Sequence, residues 1–157
     1  MAQEVKVTEI IKEVQKRLIA KEVLFDLPEW FGIPEYTNDY IEKSTKIPFL
    51  AIYVNDKVIG FGSLKETSKF AIEIFCMGIL KQYHRNGFGK SLYYKLEKKA
   101  KELGYKYIHV KTVKTGKYLE YDKTNAFYKS VGFCELEVLP TLWDEWNPCQ
   151  IYIKTIN

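Results

Sequence analysis

The sequence predicts one α+β domain, residues 1–157, in which helices cover a mixed, mostly antiparallel central sheet. Three observations carry that expectation. A length of 157 residues suits one core and is too short for two independent ones. Apolar residues switch along the chain between helical spacing and the short runs or alternation of strands. The resulting order is helix, three strands, helix, strand, helix, strand, strand, with no internal repeat or linker.

Val7, Ile10, Ile11, Val14, Leu18 and Ile19 recur at three-to-four spacing behind Thr8 and Glu9, so an amphipathic helix is expected over Val7 to Ala20. No first strand is evident before it. From Phe25 to Tyr40 the residues Pro28, Gly32 and Pro34 interrupt the periodicity, while Leu27, Trp30, Phe31 and Tyr36 add bulk. That composition predicts an ordered aromatic loop with room for a short helix. Phe49 to Val54, a turn at Asn55-Asp56, and Val58 to Leu64 form a hairpin, and Phe70 to Leu80 supplies a third, longer strand.

Phe88, Leu92, Leu96, Ala100 and Leu103 define one stripe of a helix running from Gly87 to Leu103, closed by Gly104. A short strand, Tyr107 to Val113, and a polar loop through Lys117 come next. The remaining elements are a helix from Asp122 to Val131 stopped by Gly132, a strand from Phe133 to Leu139, and a last strand from Cys149 to Ile156.

Composition narrows the function classes. With 46% apolar and 28% charged residues the chain reads as a soluble globule, not a disordered segment. The net charge of +4 is mild for a dedicated nucleic-acid binder but suits an anionic cofactor. No apolar run reaches the ~18 residues of a membrane span and no signal segment opens the chain, so a cytoplasmic address without a membrane partner is expected. Cys76, Cys134 and Cys149 are isolated in strand-like stretches and are expected to be buried reduced thiols.

The most informative stretch is Gln82-Tyr83-His84-Arg85-Asn86-Gly87-Phe88-Gly89-Lys90-Ser91, which joins the third strand to the second long helix. Glycines at a helix start let a ligand approach free N–H groups, and about half a positive charge collects there. Arg85 and Lys90 add cations suited to phosphate. The nucleoside-triphosphate loop pattern is absent, and the preceding strand belongs to an antiparallel meander, not a βαβ unit.

This stretch resembles the Q/R-x-x-G-x-G/A signature of the GCN5-related N-acetyltransferases (GNAT), which in that family cradles the CoA pyrophosphate. A second landmark is Phe127-Tyr128-Lys129-Ser130-Val131-Gly132-Phe133, similar to the family's Tyr followed by Gly-Phe. The resemblance runs from Phe49 to Ile156. It implies the GNAT fold, acetyl-CoA as co-substrate without a metal, and an amine acceptor on a small molecule or peptide, attacked directly in a ternary complex. It further implies cofactor contacts from Ile79, His84, Arg85, Asn86, Gly87, Phe88, Gly89, Lys90, Ser91 and Tyr121. His84 replaces the usual Gln or Arg, and Tyr121 stands where many members carry Asn.

Amide formation sets two chemical demands. An alkyl ammonium with pKa near 10.4 is neutral in only about one molecule in a few thousand at pH 7, so a base or a proton-carrying water is useful. Glu73, inside Phe70-Ala71-Ile72-Glu73-Ile74-Phe75-Cys76, resembles the glutamate base of the histone-acetylating branch; the alternative is a solvent-facing strand residue. Glu66 and Glu120 are weaker rivals. Tyr128 resembles the family's general acid for the departing thiolate, the alternative being a packed ring beside Phe127. The resemblance places the oxyanion donor at a backbone amide near Gly78, Ile79 or Leu80.

His84 and His109 have no partners at metal-ligand spacing, and a Cys76 nucleophile would carry a raised pKa in an apolar strand. Residues 140–148, rich in Trp and acids, suit a cationic amine or form a structural hairpin tip. A non-catalytic CoA-binding or sensor module is the main rival reading, a nucleic-acid binder ranks last, and a homodimer is compatible with either of the first two.

Overall fold

The computed structural model, which describes residues 3–157, opens with a strand where periodicity predicts a helix. Strand β1 spans Val5–Glu9 and pairs antiparallel with β2, Phe49–Val54. Helix α1 then runs from Glu13 to Phe25. The physical reason for the difference lies in which residues are buried. Ile11, Val14 and Leu18 are exposed, whereas Lys16, Ile19, Ala20, Val23 and Leu24 form the inward face. Lys16 belongs to that face because its stem packs while its ammonium donates to the carbonyl of Ile47 at 2.8 Å.

The aromatic segment contains a full helix, α2, Pro34–Ser44. Pro34 stands in its first turn, where a missing N–H costs nothing, so this proline starts the helix. Thr37 donates from its hydroxyl to the carbonyls of Phe31 and Ile33, fixing the entry of the chain.

Strand β3, Lys57–Glu66, follows the tight turn at Asn55 and Asp56, both with positive φ, and pairs antiparallel with β2. Strand β4, Ala71–Ile79, pairs antiparallel with β3. Then come α3, Phe88–Glu102, β5, Tyr107–Val113, α4, Leu119–Ser130, β6, Cys134–Leu139, and β7, Cys149–Thr155. Helix α4 begins three residues before the expected Asp122. The sheet order is β1-β2-β3-β4-β5-β7-β6, and among the described residues the β4–β5 pair is its one parallel contact.

Close approaches at two glycines establish the layers. A Cβ on Gly62 would meet Leu96 of α3, and one on Gly78 would meet Val23 and Leu27 beside α1. Gly62 is opposite Met77 in the ladder, the neighbour of Gly78, so α1 and α3 cover opposite faces. The core between them includes the stacked rings of Phe49 and Phe61, with centroids 4.8 Å apart.

Cys76 and Cys149 are buried as expected, but Cys134 is exposed. It lies on β6, an edge strand with one partner and a largely solvated face. Among the described residues no helix is long and apolar enough to cross a membrane.

Candidate active site

The site follows from a defect in the sheet. Strands β4 and β5 pair only through Ala71, Ile72 and Glu73 against Tyr107, Ile108 and His109, and then separate. On its other side β4 stays paired with β3 through Ile79, with an irregularity between Ser63 and Leu64 that inserts Phe75 as an extra residue. The result is a wedge-shaped gap, open toward the end of β4 and closed at Glu73.

The backbone facing that gap can be read from the ladder. Leu80 N–H donates to the Ile59 carbonyl at 2.7 Å. Because antiparallel bonding alternates, Gly78 and Leu80 turn their amides to β3, whereas Met77 and Ile79 turn theirs toward β5, where no strand receives them. Of the three amides named for an oxyanion, Ile79 therefore has the available N–H. Its carbonyl accepts from His84 Nε2 at 2.6 Å, which puts the proton on that nitrogen.

The turn from Lys81 to Gly87 is pinned from outside. Asp26, at the end of α1, accepts from Lys81 N–H at 2.7 Å, and Glu29 pairs with the Lys81 ammonium. Asn86 donates to the His84 carbonyl, and Arg85 and Gly87 both adopt positive φ. Gly87 is the N-cap of α3 and offers no side-chain cap, so the first amides of the helix lack a protein side-chain partner.

Around this helix start, the side chains of Arg85 and Lys90 make no ion pair among the described residues, and both residues are exposed with Gly87 and Ser91. Phe88 is buried. Gly89 packs closely: a Cβ there would stand 3.3 Å from the Phe127 ring of α4, which would have to give by a few tenths of an ångström. Uncapped amides, the helix dipole and two free cations together suit an anionic, phosphate-bearing ligand.

Tyr128 lies on α4 with its ring among Phe127, Phe133 and Tyr152. Burial pushes its hydroxyl well above the usual tyrosine range. Among the described residues its oxygen has no hydrogen-bond partner, and it is not among the fully buried unsatisfied atoms, so a small part of it reaches the surface. The ring is packed beside Phe127, as the structural alternative expects.

Glu73 is buried, with 7% of its surface exposed, and is not the solvent-facing residue of the alternative reading. Its carboxylate accepts from Lys111 Nζ at 2.8 Å, a pairing that sequence reasoning missed. The signal was the alternation His109, Lys111 on β5, interpretable only once β5 was known to lie beside β4. His109 meets Thr67 at 2.7 Å, and burial, with a smaller contribution from Lys111, lowers its pKa despite the opposing pull of Glu73. Glu66 accepts from Tyr105, away from this arrangement.

Tyr40 of α2 packs on Phe75 at 5.3 Å and supplies a wall on the β4 side. On the other side, burial and the neighbours Tyr40, Tyr118 and Glu120 push Tyr121 up to about 12. The Tyr121 hydroxyl donates to the Trp30 carbonyl at 3.0 Å. Trp30 Nε1 donates to Thr124, and its ring stands edge-on to His84 at 5.8 Å, so this residue ties the phosphate-type turn to α4. One turn beyond Tyr121, Asn125 binds the Val113 and Tyr121 carbonyls and accepts from Tyr152, a fully internal role. Burial also pushes the Cys76 thiol far above its usual range, which removes it as a nucleophile at neutral pH.

A model of the acetyltransferase (GNAT) family matches residues 17–133. No curated protein matches the sequence. Among solved structures, a protein of the GNAT family from Desulfovibrio desulfuricans has a TM-score of 0.82 at 15% identity, covering 98% of this chain and 100% of its own. Aminoglycoside 6'-acetyltransferase type Ii gives 0.78 at 21% identity, with 97% of each chain covered. A GNAT-family acetyltransferase from Elizabethkingia anophelis with acetyl-CoA bound gives 0.72 at 14% identity, covering 96% of this chain and 97% of its own. At such identities the likeness is one of fold.

Proposed function

The chain belongs to the GNAT acetyltransferase family, and we propose that it transfers an acetyl group from acetyl-CoA to a primary amine inside the gap between β4 and β5. The observation that supports this most is that the gap leaves the Ile79 amide without a strand partner at the end of β4, a few residues before the uncapped start of α3. The residue 84–91 turn would hold the CoA pyrophosphate, leaving the thioester to enter the gap along β4.

In this reading the amine nitrogen attacks the thioester carbonyl carbon, and the Ile79 N–H meets the oxygen on which charge develops. The C–S bond breaks as the C–N bond forms. Glu73 accepts the proton released from the amine, directly or through water. Tyr128 meets the departing sulfur. Its hydroxyl is held above the pKa of an ordinary thiol, about 8.5, so it acts chiefly by donating a hydrogen bond to the developing thiolate. Solvent completes protonation to CoA thiol.

Incubation of the protein with acetyl-CoA and a panel of primary amines, followed by mass spectrometry, tests the proposal. An N-acetylated product is expected. A protein that binds acetyl-CoA yet acetylates no amine is a CoA-binding or sensor module instead, a second reading favoured by one observation, that Lys111 already occupies the Glu73 carboxylate.

A further inference from the structure

The Glu73–Lys111 pair closes the narrow end of the gap, where an acceptor amine has to arrive. An incoming ammonium that engages Glu73 competes with the Lys111 ammonium for the same carboxylate. If the acceptor brings only positive charge, Lys111 is displaced with no counter-ion, and its side chain is only 31% exposed. An acceptor with an amine and a carboxylate on neighbouring atoms removes that penalty. Its ammonium takes the place of Lys111 at Glu73, and its carboxylate takes the place of Glu73 at Lys111.

We propose that the acceptor is a zwitterionic, amino-acid-like amine, and that Lys111 is the residue that selects it by receiving its carboxylate. The inference rests on the acetyl-transfer reading above and specifies its substrate class.

The surrounding charges favour the same class. Lys65 stands opposite Glu73 in the ladder with its ammonium 5.5 Å from the centre of the Phe75 ring, a second cation on the strand next to Glu73. Burial favours the neutral form of His109. Two of the acids that could welcome a polycation are engaged locally, while Glu145 of the 140–148 segment is exposed. Asp144 accepts from the amides of Trp146 and Asn147 and from the Asn147 side chain, and Asp39 pairs with Lys43. Glu120, in the first turn of α4, is the remaining carboxylate beside Tyr121. The Tyr40 and Phe75 rings offer an apolar wall for the body of the acceptor.

The test uses the whole protein, acetyl-CoA and matched acceptors: L-phenylalanine, L-methionine and L-glutamate, each against its own α-carboxamide, with spermidine as polycation. Initial rates of thiol release give kcat and KM separately. The free acids are expected to exceed their amides in kcat/KM by at least about tenfold, the effect of one charged hydrogen bond, expressed mainly in KM. Lys111→Met should erase the preference, and Lys111→Arg should restore much of it, with thermal unfolding confirming that both variants fold.

Turnover that favours the amides or spermidine in the wild-type protein overturns this inference and leaves acetyl transfer standing. So does a preference unchanged in folded Lys111→Met. No turnover with any acceptor, while acetyl-CoA still binds by calorimetry, brings down the transfer reading and this inference with it.

Discussion

Gly87→Asp should weaken cofactor binding at little cost to folding. Gly87 has φ of +79°, a conformation that costs an L-residue about 1–2 kcal/mol. A Cβ there meets nothing within 4 Å, so no steric clash adds to the cost. The carboxylate would sit at the N-terminus of α3, where the dipole offsets about 0.3–1 kcal/mol. The net loss of stability should therefore be about 1 kcal/mol, too little to unfold an ordinary domain. Binding of CoA should suffer more. Loss of one charged hydrogen bond to phosphate costs about 1.5–3 kcal/mol, and a like charge at ~4 Å adds about 1 kcal/mol in water. Together these amount to roughly a hundredfold weakening or more. Gly87→Ala adds the strain without the charge and should weaken binding less. Titration calorimetry with CoA, with thermal unfolding as the folding control, measures both quantities. A folded Gly87→Asp protein that binds CoA within about twofold of wild type would refute the assignment of the pyrophosphate to this turn.

Three other predictions address the remaining groups. Tyr128→Phe should lower kcat by about a hundredfold or more while leaving CoA affinity nearly unchanged, since the ring packing survives and only a donor to the developing thiolate is lost; steady-state kinetics beside calorimetry checks this. Glu73→Gln should depress the rate strongly near pH 7 and recover partly as pH rises and the free amine accumulates, so a pH–rate profile matching wild type in shape and height would remove Glu73 from proton transfer. His109 is held below its usual pKa by burial, so below about pH 6.5 the unfolded chain binds more protons than the folded one and stability falls with pH. Urea unfolding at about pH 5.5 and about pH 7.5 should show a smaller pH effect in His109→Gln than in wild type, and an equal effect would assign the dependence to other groups.

Strong, local patterns were legible in the sequence. The runs Phe49–Val54 and Tyr107–Val113 are strands with the expected bounds, and of the α3 stripe Phe88, Leu92, Leu96 and Ala100 are buried while Leu103, just past the helix end, is exposed. Strand β1 was obscured because it is an edge strand with little burial, and because apolar but exposed Ile11, Val14 and Leu18 imitate a helical stripe across its boundary. The buried face of α1 includes a lysine satisfied by the Thr45 and Ile47 carbonyls, a tertiary fact that periodicity cannot supply. Helix α2 was hidden because Pro34 can end one segment or begin another, and only its place in the first turn decides.

The site divides along the same line. The phosphate-type turn depends on contiguous residues and could be located by eye, and Glu73 and Tyr128 could be named from the family resemblance. The separation of β4 from β5, the available Ile79 amide, the Trp30 tether and the Lys111 partner of Glu73 all arise from contacts between distant segments. Pairing with Lys111 changes the chemistry most. It turns an isolated candidate base into half of an ion pair, which on the proposed reading an amine that engages Glu73 directly would have to open.

The central claim is that the gap between β4 and β5 is where acyl transfer occurs, and a crystal structure of the protein with CoA tests it most directly. The account predicts the pyrophosphate on the amides of the 84–91 turn, the pantetheine arm running beside the unpaired edge of β4, and the sulfur within hydrogen-bonding reach of the Tyr128 hydroxyl. CoA bound elsewhere, or held at the turn with its sulfur outside the gap and away from Tyr128, would contradict it.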